Sequence, residues 1–300
     1  MRAGGCVAEA RTASHRYTGR DTRRLWLRLL GGFELTVDGS PVLLPASAQR
    51  VLAFLAMRDR PVQRLYVAGM LWIDSTEAHA NASLRTALWR VQSVSQGAVW
   101  ASSTHVGLEP AVAVDLGELA DAARRAARRG EIDYEQCVDD LLDAGDLLPD
   151  WYDDWLIIER ERFRQLRMHA LEALCEKLAQ TGRFSPAIEA GLGAIACEPL
   201  RESAHRTLIR AHLLEGNYIE ARHQYDVLYG LLATELGIEP GDDLRRMFER
   251  ELPLGRLAGS QQNNEPSADR VSAWVRNGSE LPSRSAKPRW RMPRQTPLGR

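Results

Sequence analysis

Two arginines five positions apart, Arg85 and Arg90, with Ser83, Thr86 and Ser93 beside them, are the residues of this chain best suited to chemistry with a partner. A guanidinium can bond a guanine edge through two parallel hydrogen bonds, whereas serine and threonine hydroxyls reach base edges or phosphates with less discrimination. At the helical period, His79, Ala82, Ser83, Thr86, Arg90 and Ser93 share one face, with Arg85 and Trp89 at its flanks. The opposite face gathers Ala80, Leu84, Ala87, Leu88 and Val91 and is expected to pack inward, leaving the polar side for duplex DNA. Trp89 is expected to pack against a neighbouring sheet, because large aromatics mostly serve burial. Thr104 and His105 lie in a later β-prone stretch and join the candidate surface as hairpin contacts to the DNA backbone.

Other chemistries find little support in the sequence. Lys177 and Lys287 are the only lysines, and no Gly-Lys-Ser/Thr occurs, so a phosphate-gripping P-loop is excluded. There is no His-Glu-x-x-His, no Gly-x-Ser-x-Gly and no Gly-x-Gly-x-x-Gly after a strand; no enzyme activity and no cofactor are expected. Cys6, Cys137, Cys175 and Cys197 are scattered without a Cys-x-x-Cys pair or a histidine at ligand spacing, so they read as buried thiols rather than a metal site or disulfide framework. No apolar run is long enough to span a membrane, and the polar stretch from Met1 to Arg24 has no apolar core of a secretory signal. The expected compartment is the cytoplasm.

The elements that must hold these residues can be traced from Leu25 onward. Leu25, Leu27 and Leu29 alternate with Trp26, Arg28 and Leu30 at the period of a strand, and Phe33, Leu35 and Val37 repeat the pattern. Asp38-Gly39 then supplies a tight hairpin before Val42 and Leu44. The period becomes helical from Ala46 to Met57 and again from Arg64 to Trp72, where Leu65, Ala68, Leu71 and Trp72 are expected on one side. Asp74-Ser75-Thr76-Glu77 has the side-chain oxygens and first-turn glutamate of a helix start, opening a third helix from Thr76 to Ser95. Two β-prone runs follow, Ala98 to Ser102 and Thr104 to Leu108, with Val112 and Val114 adding a short strand. Strands, three helices and a hairpin, in that order, describe a winged helix-turn-helix of the response-regulator type, whose third helix enters the major groove.

Beyond Asp115 the pattern is helical throughout. Gly182-Arg183-Phe184-Ser185-Pro186-Ala187 returns 34 residues later as Gly216-Asn217-Tyr218-Ile219-Glu220-Ala221, the period of a tetratricopeptide repeat. Ala194 and Pro199 also fall at repeat positions, while Leu228 and Ala233 depart from them. The fold class is therefore mainly α with a small β component: a winged helix over residues 25–114, then an all-α, TPR-like helical-repeat domain over residues 115–254. Residues 1–24 and 255–300 are expected to be disordered tails.

Charge follows the same divisions. Residues 1–24 carry 6 basic and 2 acidic groups, residues 25–114 carry 7 and 6, residues 115–254 carry 17 and 29, and residues 255–300 carry 9 and 3. The repeat domain is acidic between two basic tails, so its concave face is expected to be acid-lined and to take a protein partner or a second subunit rather than DNA. Trp151, Tyr152 and Trp155 read as an aromatic cluster that packs between the two modules rather than as a ligand pocket, and the alternating charges of Glu159 to Arg162 read as a solvated, salt-bridged face.

Leu231-Leu232-Ala233-Thr234-Glu235-Leu236-Gly237-Ile238-Glu239-Pro240-Gly241, with the segments Leu208 to Ala221 and Trp155 to Arg162, closely resembles the SARP-type regulators, which join a winged helix to a bacterial transcriptional activator domain (BTAD). Leu71-Trp72 and the run Ser83 to Val91 are similar to that family's recognition-helix region. The resemblance covers residues 25–252. It implies activation of promoters by recruiting RNA polymerase, commonly in clusters for secondary metabolism. Larger relatives append an NTPase or a phosphopeptide-binding domain, for which the short C-terminal tail is expected to leave no room.

The near-neutral charge of residues 25–114 limits phosphate neutralisation, so one copy is expected to bind DNA weakly and two copies on tandem half-sites to bind usefully. The rival reading, prompted by the same low basic content, is a protein-interaction module whose winged helix has lost DNA affinity.

Overall fold

The computed structural model describes residues 24–58, 60–95, 97–127 and 133–251, apart from the side chains of residues 249 and 251. The two expected tails, beyond Arg24 itself, lie outside the described residues. The chain divides into two compact units. One holds residues 24–29 and 33–115, and the other holds residues 30–32 and 116–251.

In the first unit, β1 (Leu25–Arg28), β2 (Glu34–Val37) and β3 (Ser40–Val42) form an antiparallel meander, and β7 (Val112–Val114) joins the other side of β1 in parallel. Leucine alternation decides the faces of β1, with Leu25 and Leu27 buried and Trp26 and Arg28 outside. The β2–β3 turn has φ of 51° at Asp38 and 79° at Gly39, the pair of positive angles that a two-residue hairpin needs. Both carboxylate oxygens of Asp115 accept from the Leu29 N–H, at 2.9 and 3.0 Å.

Three helices fill the middle of this unit: α1 (Ala46–Ala56), α2 (Arg64–Leu71) and α3 (Glu77–Val94). Val51, Leu52, Phe54, Val67, Leu71, Leu84 and Val91 are buried among them. The expected apolar side of α2 is corrected at one position: Val67 is buried with Ala68 and Leu71, while Leu65 is exposed. Thr76 occupies the N-cap of α3 but its side chain makes no capping hydrogen bond; Glu77 alone supplies the expected first-turn charge.

β4 (Val62–Gln63), too short to show a period, pairs with β6 (His105–Leu108), which in turn pairs with β5 (Val99–Ala101). The β5–β6 hairpin is the wing. Gly107 faces Trp100 across it, and a Cβ at Gly107 would stand 2.7 Å from Trp100 Nε1, so the indole lies flat where only glycine leaves room.

The second unit is helical: α4 (Asp115–Ala127, from Leu116 onward), α5 (Tyr134–Asp143), α6 (Asp154–Gln180), α7 (Phe184–Cys197), α8 (Glu202–Glu215), α9 (Tyr218–Glu235) and α10 (Asp242–Glu251). From α6 to α9 each helix packs on the next, and α6 also packs on α8, as stacked helix pairs do. Fully buried Ala187 and Ala221, 34 residues apart at equivalent turns of α7 and α9, mark the close approaches within the pairs. Gly216, with φ of 84°, ends α8 in the left-handed conformation, and the Asn217 side chain accepts from Glu220 N–H to begin α9.

Two expectations for this unit are corrected. Arg160 is not part of a solvated charge run: its guanidinium donates to the carbonyls of Leu147 and Trp151, both at 2.8 Å, and to that of Leu148. These bonds clamp the loop in which Leu148 holds a positive φ of 44°, costly for a branched side chain. The aromatic group does not pack as one cluster either, since Trp155 is buried but Tyr152 is 95% exposed.

Residues 30–32 join this unit through an isolated bridge from Leu30 to Leu147 and a 2.8 Å bond from Gly31 N–H to the Asp146 carbonyl. A Cβ at Gly145 would stand 2.7 Å from Gly31 Cα, which reserves that position for glycine.

Cys137 and Cys175 are buried and Cys197 partly so. Burial pushes the Cys175 thiol up to about 12, so it stays protonated and unreactive at neutral pH. No described helix is long and apolar enough to cross a membrane.

Candidate nucleic-acid interface

The outer face of α3 is decided by its inner one. Ala80, Leu84, Ala87, Leu88 and Val91 recur at spacings of three and four and are all buried, which turns the remaining arc of the helix to solvent. His79, Arg85, Thr86, Arg90 and Ser93 are exposed on that arc, and Ser83 sits half-buried at its edge. Thr104 is exposed and His105 half-buried on the wing, so the candidate residues occupy two surfaces of one unit.

Trp89 is the residue that sequence reasoning misplaced. It is 59% exposed, and the Arg90 guanidinium lies over its ring at 5.1 Å. The signal was present: Trp89 is seven residues after Ala82 and four before Ser93, in the middle of the polar arc. At this position the helical wheel overrides the general tendency of aromatics toward burial. An exposed indole flanked by a guanidinium offers a flat apolar surface and a cation side by side.

The hydroxyls are partly committed to the helix itself. Thr86 Oγ1 donates to the Ala82 carbonyl at 3.1 Å and Ser93 Oγ to the Arg90 carbonyl at 2.8 Å. Each keeps its lone pairs for an incoming donor and must rotate before it can donate to a phosphate. Arg85 and Arg90, by contrast, have no carboxylate partner among the described residues. Their donors therefore face solvent.

The wing is held at both ends of its turn. Ser102 N–H donates to the His105 carbonyl at 2.8 Å, and Ser102 Oγ accepts from His105 N–H at 2.9 Å. Thr104 Oγ1 and His105 Nδ1 are 2.9 Å apart. Arg64 N–H donates to the Thr104 carbonyl at 2.9 Å while its guanidinium reaches the Ser102 carbonyl at 3.3 Å, so the first residue of α2 fixes the wing tip. Arg64 was not visible as a positioning residue in the sequence, because β4 and the wing meet only in the fold.

No group of three or more histidine, cysteine, aspartate or glutamate side chains is placed to hold a metal among the described residues. The arrangement offers hydrogen-bond donors, a cation–aromatic pair and a polar wing, which suits recognition of an anionic, groove-bearing surface.

Comparison with known proteins adds the family. Residues 114–252 match the model of the bacterial transcriptional activator domain. The chain is 30% identical over 281 residues to the transcriptional regulatory protein EmbR of Mycobacterium tuberculosis, covering 83% of this chain and 69% of that protein. It is 27% identical over 265 residues to the regulatory protein AfsR of Streptomyces coelicolor, covering 84% of this chain but only 26% of AfsR. The solved structure of M. tuberculosis EmbR in complex with a low-affinity phosphopeptide superposes with a TM-score of 0.63 at 24% identity, over 86% of this chain and 69% of that one, and shares its fold. A winged helix followed by a helical activator domain, carried by a sequence this similar to EmbR, places the chain in the SARP-type family of bacterial transcription regulators.

Proposed function

We propose that the first unit binds duplex DNA in a sequence-specific way, with the outer face of α3 in the major groove and the β5–β6 wing against the backbone. We further propose that the protein activates transcription by recruiting RNA polymerase to the promoters it marks. One observation carries the DNA reading: Arg85 and Arg90 project from α3 with no carboxylate to neutralise them among the described residues. Arg90 reads a base edge, with Trp89 orienting its guanidinium and covering neighbouring apolar base or sugar surface. Arg85, His79 and the hydroxyls of Ser83, Thr86 and Ser93 position the helix on phosphates and flanking edges. Thr104 and His105 contact backbone from the wing.

The polymerase reading draws on the family and on a recess of about 300 Å³ beside α2, rimmed by Leu65 and Ile73, which are 59% and 78% exposed. Glu77 and Ala80, which line it, lie away from the DNA-facing arc of α3. A protein bound there leaves that arc accessible.

With 7 basic against 6 acidic groups in residues 25–114, a single copy gains little from counterion release, and two copies on tandem half-sites are needed. Fluorescence anisotropy on a duplex with two half-sites is expected to show cooperative binding that weakens as salt rises. Replacing Arg90 with alanine is expected to cost about 1–3 kcal/mol and to relax specificity at one base pair. Equal affinity for the tandem site and a scrambled duplex would remove sequence specificity, and no binding to either would leave the rival reading, an interaction module without DNA affinity, in possession.

A further inference from the structure

We propose that the helical unit carries a docking groove for an acidic, apolar-flanked peptide segment of a partner protein, with Arg206 and Arg210 as its anchor. The proposal concerns protein–protein contact and stands whether or not α3 binds DNA.

A concavity of about 220 Å³ opens between α6, α8 and α10, all within the second unit. Its lining is mixed: Ala179, Ala211, Leu214 and Met247 are apolar, beside Gln180 and Thr207 and the charged Glu176, Arg206 and Arg210. The volume is below the ~300–1,000 Å³ of sites that enclose a small molecule, and suits one aliphatic side chain with adjoining backbone.

The charges around it are unevenly spent. Along α6 and α8, carboxylates meet arginines in order: Glu172 accepts from Arg201 at 2.9 Å and from Ser203 at 2.7 Å, and Glu176 accepts from Arg210 at 3.3 Å. Arg206 lies on α8 between Arg201, at the N-cap of that helix, and Arg210. It is exposed and has no ion-pair or hydrogen-bond partner among the described residues. Glu176 thus pairs with Arg210 and not with Arg206, and the two guanidinium groups stand one helical turn apart, where like charges repel. A carboxylate bridging Arg206 and Arg210 relieves that repulsion, and an apolar neighbour in the same segment packs on Ala211, Leu214 and Met247.

Charge complementarity selects the occupant. The chain's own terminal segments carry 6 basic against 2 acidic groups before residue 25 and 9 against 3 after residue 254, which disfavours either as the resident. Residues 115–254 as a whole carry 17 basic and 29 acidic groups, so an acidic segment is drawn to an exposed basic spot such as this one and repelled by the net charge around it. That contrast gives specificity as well as attraction.

The test uses the full chain and two fluorescein-labelled peptides, one of alternating aspartate and leucine and its asparagine-for-aspartate counterpart. The acidic peptide is expected to bind at least about tenfold tighter, and Arg206→Gln to lose about tenfold of that affinity. Arg206→Lys is expected to recover part of it. Arg222→Gln, at an arginine paired with Asp226 on the outer helix α9, is expected to bind like the parent chain. Circular dichroism shows whether each variant remains folded. Failure of the acidic peptide to bind, equal binding of the two peptides, or an unchanged Arg206→Gln overturns the proposal. So does a dimer in sedimentation velocity that Arg206→Gln dissolves, which gives the face to a second copy. Displacement of the peptide by duplex DNA, with DNA binding weakened by Arg206→Gln, gives it to nucleic acid and overturns it equally.

Discussion

Arginine is used in opposite ways by the two units. In the helical unit it is mostly consumed internally: Arg160 clamps three carbonyls, Arg164 joins Glu161 to Glu198 across α6 and α7, and Arg201 ties α8 to Glu172 of α6. On α3 the same side chain is left open, with Arg85 and Arg90 exposed and unmatched by carboxylates among the described residues. A charge already satisfied within the fold contributes to stability, whereas one left unsatisfied at the surface costs little there and is available to a partner. Arg206 matters because it breaks the rule of its own unit.

The sharpest way to test this contrast is to separate stability from binding. The largest effect is expected at the support of the open face: Leu84→Ala, at a fully buried position of α3, should lower the stability of the first unit by about 2–5 kcal/mol in chemical denaturation. DNA affinity should fall with it. Next comes an arginine spent inside the fold. Arg160→Ala strands three carbonyls and releases the strained loop at Leu148, so the helical unit should lose about 1–3 kcal/mol while DNA affinity of the folded protein stays the same. A purely ornamental Arg160 would leave the denaturation midpoint unmoved.

A smaller effect is expected from His205, buried between α8 and α9. Its Nε2–H donates to the Pro199 carbonyl at 2.8 Å, leaving Nδ1 to accept from Gln224 Nε2 at 2.7 Å. Burial holds its proton affinity below the ordinary histidine value, against the opposing pull of the Pro199 carbonyl and Glu202. The unfolded chain therefore takes up a proton first as pH falls. This stabilising contribution is complete above about pH 6.5 and is lost as the pH drops from there toward the folded-state value. Denaturation curves from pH 8 to 5 should show that decline, and His205→Asn should flatten it. The smallest stability effect is expected at Trp89: being mostly exposed, its replacement by alanine should change folding by no more than about 0.5 kcal/mol while still weakening DNA binding. A large loss of stability there would mean that the indole is structural after all.

Much of this protein is legible in one dimension because local periodicity reports one buried face. The alternation at Leu25 to Arg28, the Asp38-Gly39 turn, the apolar stripe of α3 and the 34-residue return from Ala187 to Ala221 all encode their elements without distant partners. The polar arc of α3 follows from the same stripe, and Trp89 was readable from it too. What the sequence could not show is anything settled by residues far apart along the chain. Pairing of β7 beside β1, the placing of Val62–Gln63 against the wing, the Arg160 clamp and the close passage of Gly145 by Gly31 all depend on where distant segments meet. The unmatched state of Arg206 belongs with them. Side-chain type fixes which bonds an arginine can make; only the packed fold decides which carboxylates come within reach.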